Sequence, residues 1–197
     1  MSASLFVKLS GLPIIAVTGT RGKSMVTHLI WHILNAGGKK VLLGGNVRGV
    51  SNLELLKKAK KTEIAVMELD SWQLQGFGDA KISPQIAIFT SLLSDHMNYY
   101  KNSVKNYFAD KANIFKHQKR GDVLIIRPGV KKLIPKNIKS KLVVVNAKDA
   151  EKYASSLPGK FQKENLACAV RVAREFHIPV SKIKKAVKNF KGLEGRL

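Results

Sequence analysis

An α/β fold, a mostly parallel sheet with helices on both faces, is the architecture this 197-residue sequence predicts. Three observations predict it. Short apolar runs alternate with segments of helical periodicity from one end of the chain to the other. The first of those runs, Pro13 to Val17 (PIIAV), is continuous, as a strand buried on both faces requires. A glycine-rich turn, Thr18-Gly19-Thr20-Arg21-Gly22-Lys23-Ser24, then joins that run to the first helical segment.

The elements follow in order. After the turn, Val26, Leu29, Ile30, Ile33 and Leu34 recur at helical spacing, and Gly37-Gly38 closes the helix. Lys40 to Leu43 (KVLL) reads as a strand, then the loop Gly44-Gly45-Asn46-Val47-Arg48-Gly49, then a helix near Asn52 to Lys58. Glu63 to Leu69 (EIAVMEL) and Gln85 to Phe89 (QIAIF) are further strands. A helix near Val104 to His117, strands at Asp122 to Ile126 and Leu142 to Asn146, and helices near Gln162 to His177 and Ser181 to Asn189 complete the alternation. No repeat or low-complexity linker divides the chain, so residues 1–197 are expected to form one domain with a substantial core.

Composition excludes several classes. A hydrophobic content of 45% argues against disorder. The single cysteine, Cys168, excludes a disulfide framework and fits a reducing compartment. No apolar run approaches membrane-spanning length. The stretch from Ser2 to Val17 has a trace of signal-peptide character, but Lys8 interrupts it and it runs straight into the first strand. A cytoplasmic protein is expected, with no membrane partner.

Charge is the unusual feature: 35 Lys and Arg against 13 Asp and Glu, a formal +22. A nucleic-acid partner is the first inference. Its distribution points elsewhere. Lys182, Lys184, Lys185, Lys188 and Lys191 surround the apolar stripe of the last helix, and Lys57, Lys58, Lys60 and Lys61 close another, where cations suit the dipole. No aromatic residues interleave with these runs to stack bases. A solvated lysine-rich surface is the better reading, and it favours anionic nucleotide ligands.

The turn after Val17 carries the chemistry. A helix that opens on such a turn aims its first backbone N–H groups and its positive dipole end at the loop. Glycines let the backbone wrap a phosphate, Lys23 can reach terminal phosphates, and the Ser24 hydroxyl can hold magnesium. This predicts a P-loop-type nucleotide-binding domain. The general pattern G-x-x-x-x-G-K-[ST] wants glycine where this chain has Val17.

In open parallel sheets, ligands sit beyond the carboxyl ends of the strands. The polar residues there are the phosphate loop, Asn46, Glu68 and Asp95-His96, from four separate strands. Glu68 ends an apolar strand with a carboxylate, as a metal-holding acid does. His96 is either a metal ligand or a capping side chain. Lys111 falls on the apolar face defined by Val104, Tyr107, Phe108, Ile114 and Phe115. A lysine there either snorkels its amine out or is kept for chemistry, and spacing leaves both open. His28 and His32 stand at i, i+4 without a third ligand in view and read as a polar helix edge; Cys168 reads as a small core residue.

Together these residues resemble the central ATP-binding domain of the Mur ligases, and within them the D-glutamate-adding branch. That family carries G-T-N-G-K-[ST] as its phosphate loop, which accounts for Val17; Gly19 to Ser24 match it except at Arg21. Gly44-Gly45-Asn46 resembles the loop that contacts the muramoyl substrate. Glu68-Leu69-Asp70-Ser71-Trp72-Gln73-Leu74 resembles E-L-S-S-F-Q-L, whose glutamate binds magnesium. Asp95-His96-Met97-Asn98-Tyr99-Tyr100 resembles D-H-M-D-x-Y, whose histidine helps hold a second magnesium. Lys111, in Ala109 to Phe115, aligns with a lysine the family carbamylates. Departures are Ser94 for a glutamate, Phe161-Gln162 for His-Asn in G-x-H-N-x-x-N (Gly159 and Asn165 fit), and Gly195 for a histidine before Arg196.

The resemblance implies ATP and Mg2+, with Lys23, Glu68, His96 and Lys111 catalytic. It implies nucleotide contacts from Gly19, Thr20, Arg21, Gly22, Lys23, Ser24, Met25, Asn165 and Arg196. Metal ligands would be Ser24, Glu68, His96 and carbamylated Lys111, and muramoyl-substrate contacts Asn46, Ser71 and Gln73. The implied reaction adds D-glutamate to UDP-N-acetylmuramoyl-L-alanine through an acyl phosphate. Family members carry further domains on both sides of this one, so separately supplied ligase domains are possible partners. The alternatives are a non-catalytic nucleotide-binding fragment and a nucleic-acid-stimulated ATPase.

Overall fold

Six strands form one all-parallel sheet: β1 (Ile14–Thr18), β2 (Val41–Gly45), β3 (Ile64–Glu68), β4 (Ile86–Phe89), β5 (Val123–Ile126) and β6 (Lys141–Val144). Their spatial order is β2-β3-β1-β4-β5-β6. The structure is a computed structural model and describes residues 2–154 and 159–193. Arg196, expected at the nucleotide, and Gly195, the departure before it, lie outside the described residues.

Alternate strand residues feed two cores, because side chains on a strand point to opposite faces. Ile15, Val17, Val66, Ile88 and Ile125 face α2 (Lys23–Ala36), α6 (Lys160–Glu175) and α7 (Val180–Asn189). Ile14, Ala16, Ala65, Met67, Phe89 and Leu124 face α1 (Ser2–Ser10), α4 (Ser71–Asp79) and α5 (Val104–Lys116). A short α3 (Leu56–Ala59) precedes β3. Burial on both faces is why β1 and β3 read as continuous apolar runs.

Two helices go beyond the sequence pattern. The segment with signal-peptide character is α1, whose Ala3 and Phe6 are buried in the second core. Its apolar residues are core contacts. Helix α4 lacks a clear periodic signal because Gly76 and Gly78 interrupt it. It is secured at its start by a capping box: the Asp70 carboxylate accepts from the Gln73 N–H at 2.7 Å, and the Gln73 side chain accepts from the Asp70 N–H at 3.4 Å. The helix expected near Asn52 to Lys58 shrinks to α3, preceded by turns.

The register places the strand ends that matter side by side. Val17 pairs with Glu68, and Glu68 with Gly45. Gly45 has φ 86, and a Cβ built there would lie 2.0 Å from the Glu68 carbonyl oxygen. Gly45→Ala is therefore expected to destabilise the fold by about 3 kcal/mol, measured by urea unfolding, through backbone strain and displacement of β3.

The lysine runs lie on solvated faces, as expected: Lys57, Lys58, Lys60 and Lys61, and Lys182, Lys184, Lys185, Lys188 and Lys191, are all exposed. Among the described residues no helix is long and apolar enough to cross a membrane.

Candidate nucleotide and metal site

Gly22 is the residue before α2 and sits at φ 87, in the left-handed region that glycine tolerates. Lys23 is thus the first helical residue. Its Nζ folds back over the loop and donates to the carbonyls of Gly19 (3.0 Å) and Thr20 (3.3 Å). The loop is held from the β4 side. The Arg21 N–H donates to Ser91 Oγ at 2.9 Å, the Thr90 hydroxyl donates to the Arg21 carbonyl at 2.6 Å, and the Thr20 N–H donates to the Ser91 carbonyl at 2.8 Å. Thr20 also accepts from the Leu93 N–H at 2.9 Å. Ser24 is buried at the start of α2; Met25 spends its side chain in the core, leaving only its backbone for a ligand.

Lys111 reaches this loop from α5. Its side chain is 1% exposed, and Nζ donates to the same Gly19 carbonyl at 3.1 Å and to Thr18 Oγ1 at 3.5 Å. The ammonium lies 4.7 Å from the centre of the Tyr107 ring. Burial, reinforced by the Lys23 charge, lowers its pKa to about 7. The lysine does not snorkel.

Glu68 is 3% exposed and makes no hydrogen bond through its carboxylate to any described residue. A buried carboxylate without a protein donor is a fit for a bound cation. Among the described residues no three His, Cys, Asp or Glu side chains converge. Magnesium there would therefore rely on Glu68, the Ser24 hydroxyl, phosphate oxygens and water, in keeping with the few protein ligands this ion takes.

His96 lies in the loop after β4 rather than at the strand end, at φ 55. Its Nε2 is 3.7 Å from Asp95 Oδ2, and its ring packs on Trp72 (4.7 Å) and on Tyr107 (6.3 Å), the ring that also carries Lys111. Asn46 is exposed beside Glu68, donating its N–H to the Glu68 carbonyl at 2.7 Å. Ser71 is buried in the first turn of α4, and Gln73 is engaged in the capping box. His28 and His32 spend ring nitrogens on the carbonyls of Ser24 and Ala186, at 2.8 and 3.0 Å, the polar helix edge expected of them.

One opening escaped sequence reasoning. A cleft of about 1040 Å³ lies beyond the ends of β4, β5 and β6, walled by Thr90, Ser91, Arg127, Asn146, Lys148 and Glu164 among others. It abuts the phosphate loop through Thr90 and Ser91. Of the expected nucleotide contacts, Asn165 stands behind this wall, wholly buried, with Oδ1 lacking a partner among the described residues. A charged residue straight after an apolar strand, Ile126-Arg127, was the available signal.

Comparison with known proteins places this geometry. The profile of the Mur ligase middle domain matches residues 17–140. The chain belongs to the Mur ligase family. It is 33% identical over 215 residues to the UDP-N-acetylmuramoylalanine–D-glutamate ligase of Borreliella afzelii (strain PKo), a match covering 98% of this chain and 47% of that protein. It is 31% identical over 192 residues to the ligase of the same name from Nitratidesulfovibrio vulgaris (strain DP4), covering 96% and 43%. This Mur ligase chain thus spans about half the length of the relatives it matches.

Its fold is that of solved Mur ligases. The MurF ligase of Thermotoga maritima, crystallised in complex with ADP, superimposes with a TM-score of 0.75 at 18% identity, over 99% of this chain and 53% of the other. E. coli FolC, in complex with DHPP and ADP, gives a TM-score of 0.66 at 15% identity, over 99% and 62%.

Proposed function

We propose that this chain is the ATP-binding part of a ligase that joins D-glutamate to UDP-N-acetylmuramoyl-L-alanine. The observation that carries the proposal is the meeting of Lys23 and Lys111 on the Gly19 carbonyl, two residues beyond Val17, the register partner of buried Glu68. A phosphate-reaching lysine, a buried amine of lowered pKa and a buried carboxylate with no donor among the described residues, at one sheet edge, suit phosphoryl transfer to a carboxylate.

Lys23 and the amides around Gly19 to Met25 would receive the triphosphate, and the cleft beyond β4 to β6 the nucleoside. Ser24 and Glu68, with His96 and a carbamate on Lys111, would hold magnesium, which supplies charge neutralisation on the phosphoryl oxygens. Asn46 and Ser71 would orient the muramoyl chain, whose carboxylate oxygen attacks the γ-phosphorus and expels ADP. The amine of D-glutamate then displaces phosphate from the acyl carbon, forming the amide and releasing a proton. Lys23 neutralises charge as the phosphoryl group moves. Gln73 lies near this face but is occupied by its capping role.

The test is ATP binding by the chain alone, then phosphate release with both substrates when the flanking ligase domains are supplied separately. Binding alone with turnover on reconstitution is expected. Lack of ATP binding by the isolated chain would sink the reading.

A further inference from the structure

The excess positive charge is gathered by the topology. In an all-parallel sheet every strand starts at the same edge, so the segments that lead into the strands lie together there. Lys40 precedes β2, Lys60 and Lys61 precede β3, and Lys81 precedes β4. Lys119 and Arg120 precede β5, and Lys136 and Lys139 precede β6. All of these side chains are exposed. Glu63 and Asp122 are the only acids in segments 37–40, 60–63, 80–85, 117–122 and 134–140. Both are engaged: Glu63 pairs with Lys39 at 3.5 Å, and the Asp122 carboxylate accepts from the Lys119 N–H at 2.7 Å.

The opposite edge, which holds the phosphate loop, has no such excess. In the loops after β1 to β4, Arg21, Arg48 and Lys101 stand against Glu54, Asp70 and Asp95. The cationic edge is also broad, about 24 Å across six strands spaced about 4.8 Å apart. Apolar side chains flank it. Leu9, at the end of α1 just before the turn into β1, is 62% exposed. Val180 is 44% exposed at the start of α7, which Lys182 ties to this edge by donating to the Gly37 carbonyl at 3.4 Å.

We propose that this edge docks on an anionic lipid surface, with the phosphate loop turned away toward water. The inference is independent of what the phosphate loop binds. It departs from the expectation of no membrane partner, which rested on the lack of a spanning run; lying on a surface needs none. Lipid headgroups offer a diffuse negative potential that a point-charged ammonium enters without fixed geometry, each one strengthening binding about fivefold. Leu9 and Val180 supply apolar contact at the headgroup boundary. A nucleic acid suits the edge less well: its segments contain no Phe, Trp or Tyr to stack a base.

Flotation of this chain with vesicles of phosphatidylcholine, alone or with about one-third phosphatidylglycerol, tests the inference at about 0.1 M salt. Binding is expected to the anionic vesicles only, weakening steeply as salt rises. Combining Lys60→Gln, Lys61→Gln, Lys119→Gln and Arg120→Gln should weaken it at least about a hundredfold at an unchanged melting temperature. A second set from other loops of the same edge, Lys81→Gln, Lys136→Gln and Lys139→Gln, should weaken it at least about thirtyfold. The equally charged set Lys184→Gln, Lys185→Gln, Lys188→Gln and Lys191→Gln, on the outer side of α7, should stay within about threefold of wild type. Failure to bind anionic vesicles overturns the inference, as does equal binding to phosphatidylcholine alone. Equal losses in the edge sets and the α7 set also overturn it, since net charge and not this edge would then be responsible. So does a DNA duplex that binds this edge as tightly as the anionic vesicles at the same salt.

Discussion

Replacing Lys23 with alanine is expected to lower ligase turnover, on reconstitution with the flanking domains, by on the order of 10² to 10³. The amine is pre-positioned: it caps the Gly19 and Thr20 carbonyls at 3.0 and 3.3 Å, at the first residue of α2. A triphosphate entering the loop would draw that amine off these carbonyls into a strong charge-assisted contact. Removal leaves the loop hydrogen bonds to Thr90 and Ser91 intact, so melting temperature should change little while ATP affinity falls steeply. Titration calorimetry and a thermal melt on the same variant separate the two effects. Normal ATP affinity in Lys23→Ala would remove the phosphate loop from the proposal.

Lys111 carries the second large effect. Carbamylation requires the neutral amine, and a pKa of about 7 leaves about half of it neutral at pH 7. An ordinary lysine would offer on the order of one molecule in three thousand there. Bicarbonate-dependent carbamate formation is therefore expected at pH 7 to 8 and should fade below about pH 6, as read by ¹³C NMR with labelled CO2. Lys111→Ala should abolish turnover to roughly the level of Lys23→Ala, with partial rescue by a short carboxylate. A ¹³C spectrum without a carbamate signal at pH 8 would defeat the assignment.

The same shift has a consequence for stability. The folded-state pKa lies below the ordinary value of 10.5, so between the two the unfolded chain holds a proton that the folded chain has shed. The cost of burying the ammonium is fully present below about pH 7 and is relieved as pH rises toward 10.5. In Lys111→Met, which has no such charge to bury, that component of the pH dependence should vanish from urea unfolding curves.

Much of the layout was legible from residue order. All six strands fall within a residue or two of their expected positions, and the central ones, β1, β3, β4 and β5, do so because strands buried on both faces read as unbroken apolar runs. Lys111 was placed correctly on its helix face by periodicity, yet periodicity could not say whether the amine escapes to water. The helix α4 was not visible, since two glycines dilute its pattern and its stability comes from the capping box and from packing against α5. The cleft was not visible either. Its walls come from residues 90, 127, 146 and 164, which share no local pattern and meet only because three parallel strands end at one edge.

By itself, the sequence determined the alternation of strands and helices, the phosphate loop and the family resemblance, all properties of short segments whose physics is local. Only the tertiary structure decided that Lys23 and Lys111 share the Gly19 carbonyl, that Glu68 is buried without a donor among the described residues, and that Arg127 is ion-paired with Glu164 of α6 at the cleft. The reason is distance along the chain. Residues 23 and 111, or 127 and 164, interact through a low-dielectric interior whose shape exists only once the sheet has assembled, and burial there turns an ordinary lysine into one poised near neutrality.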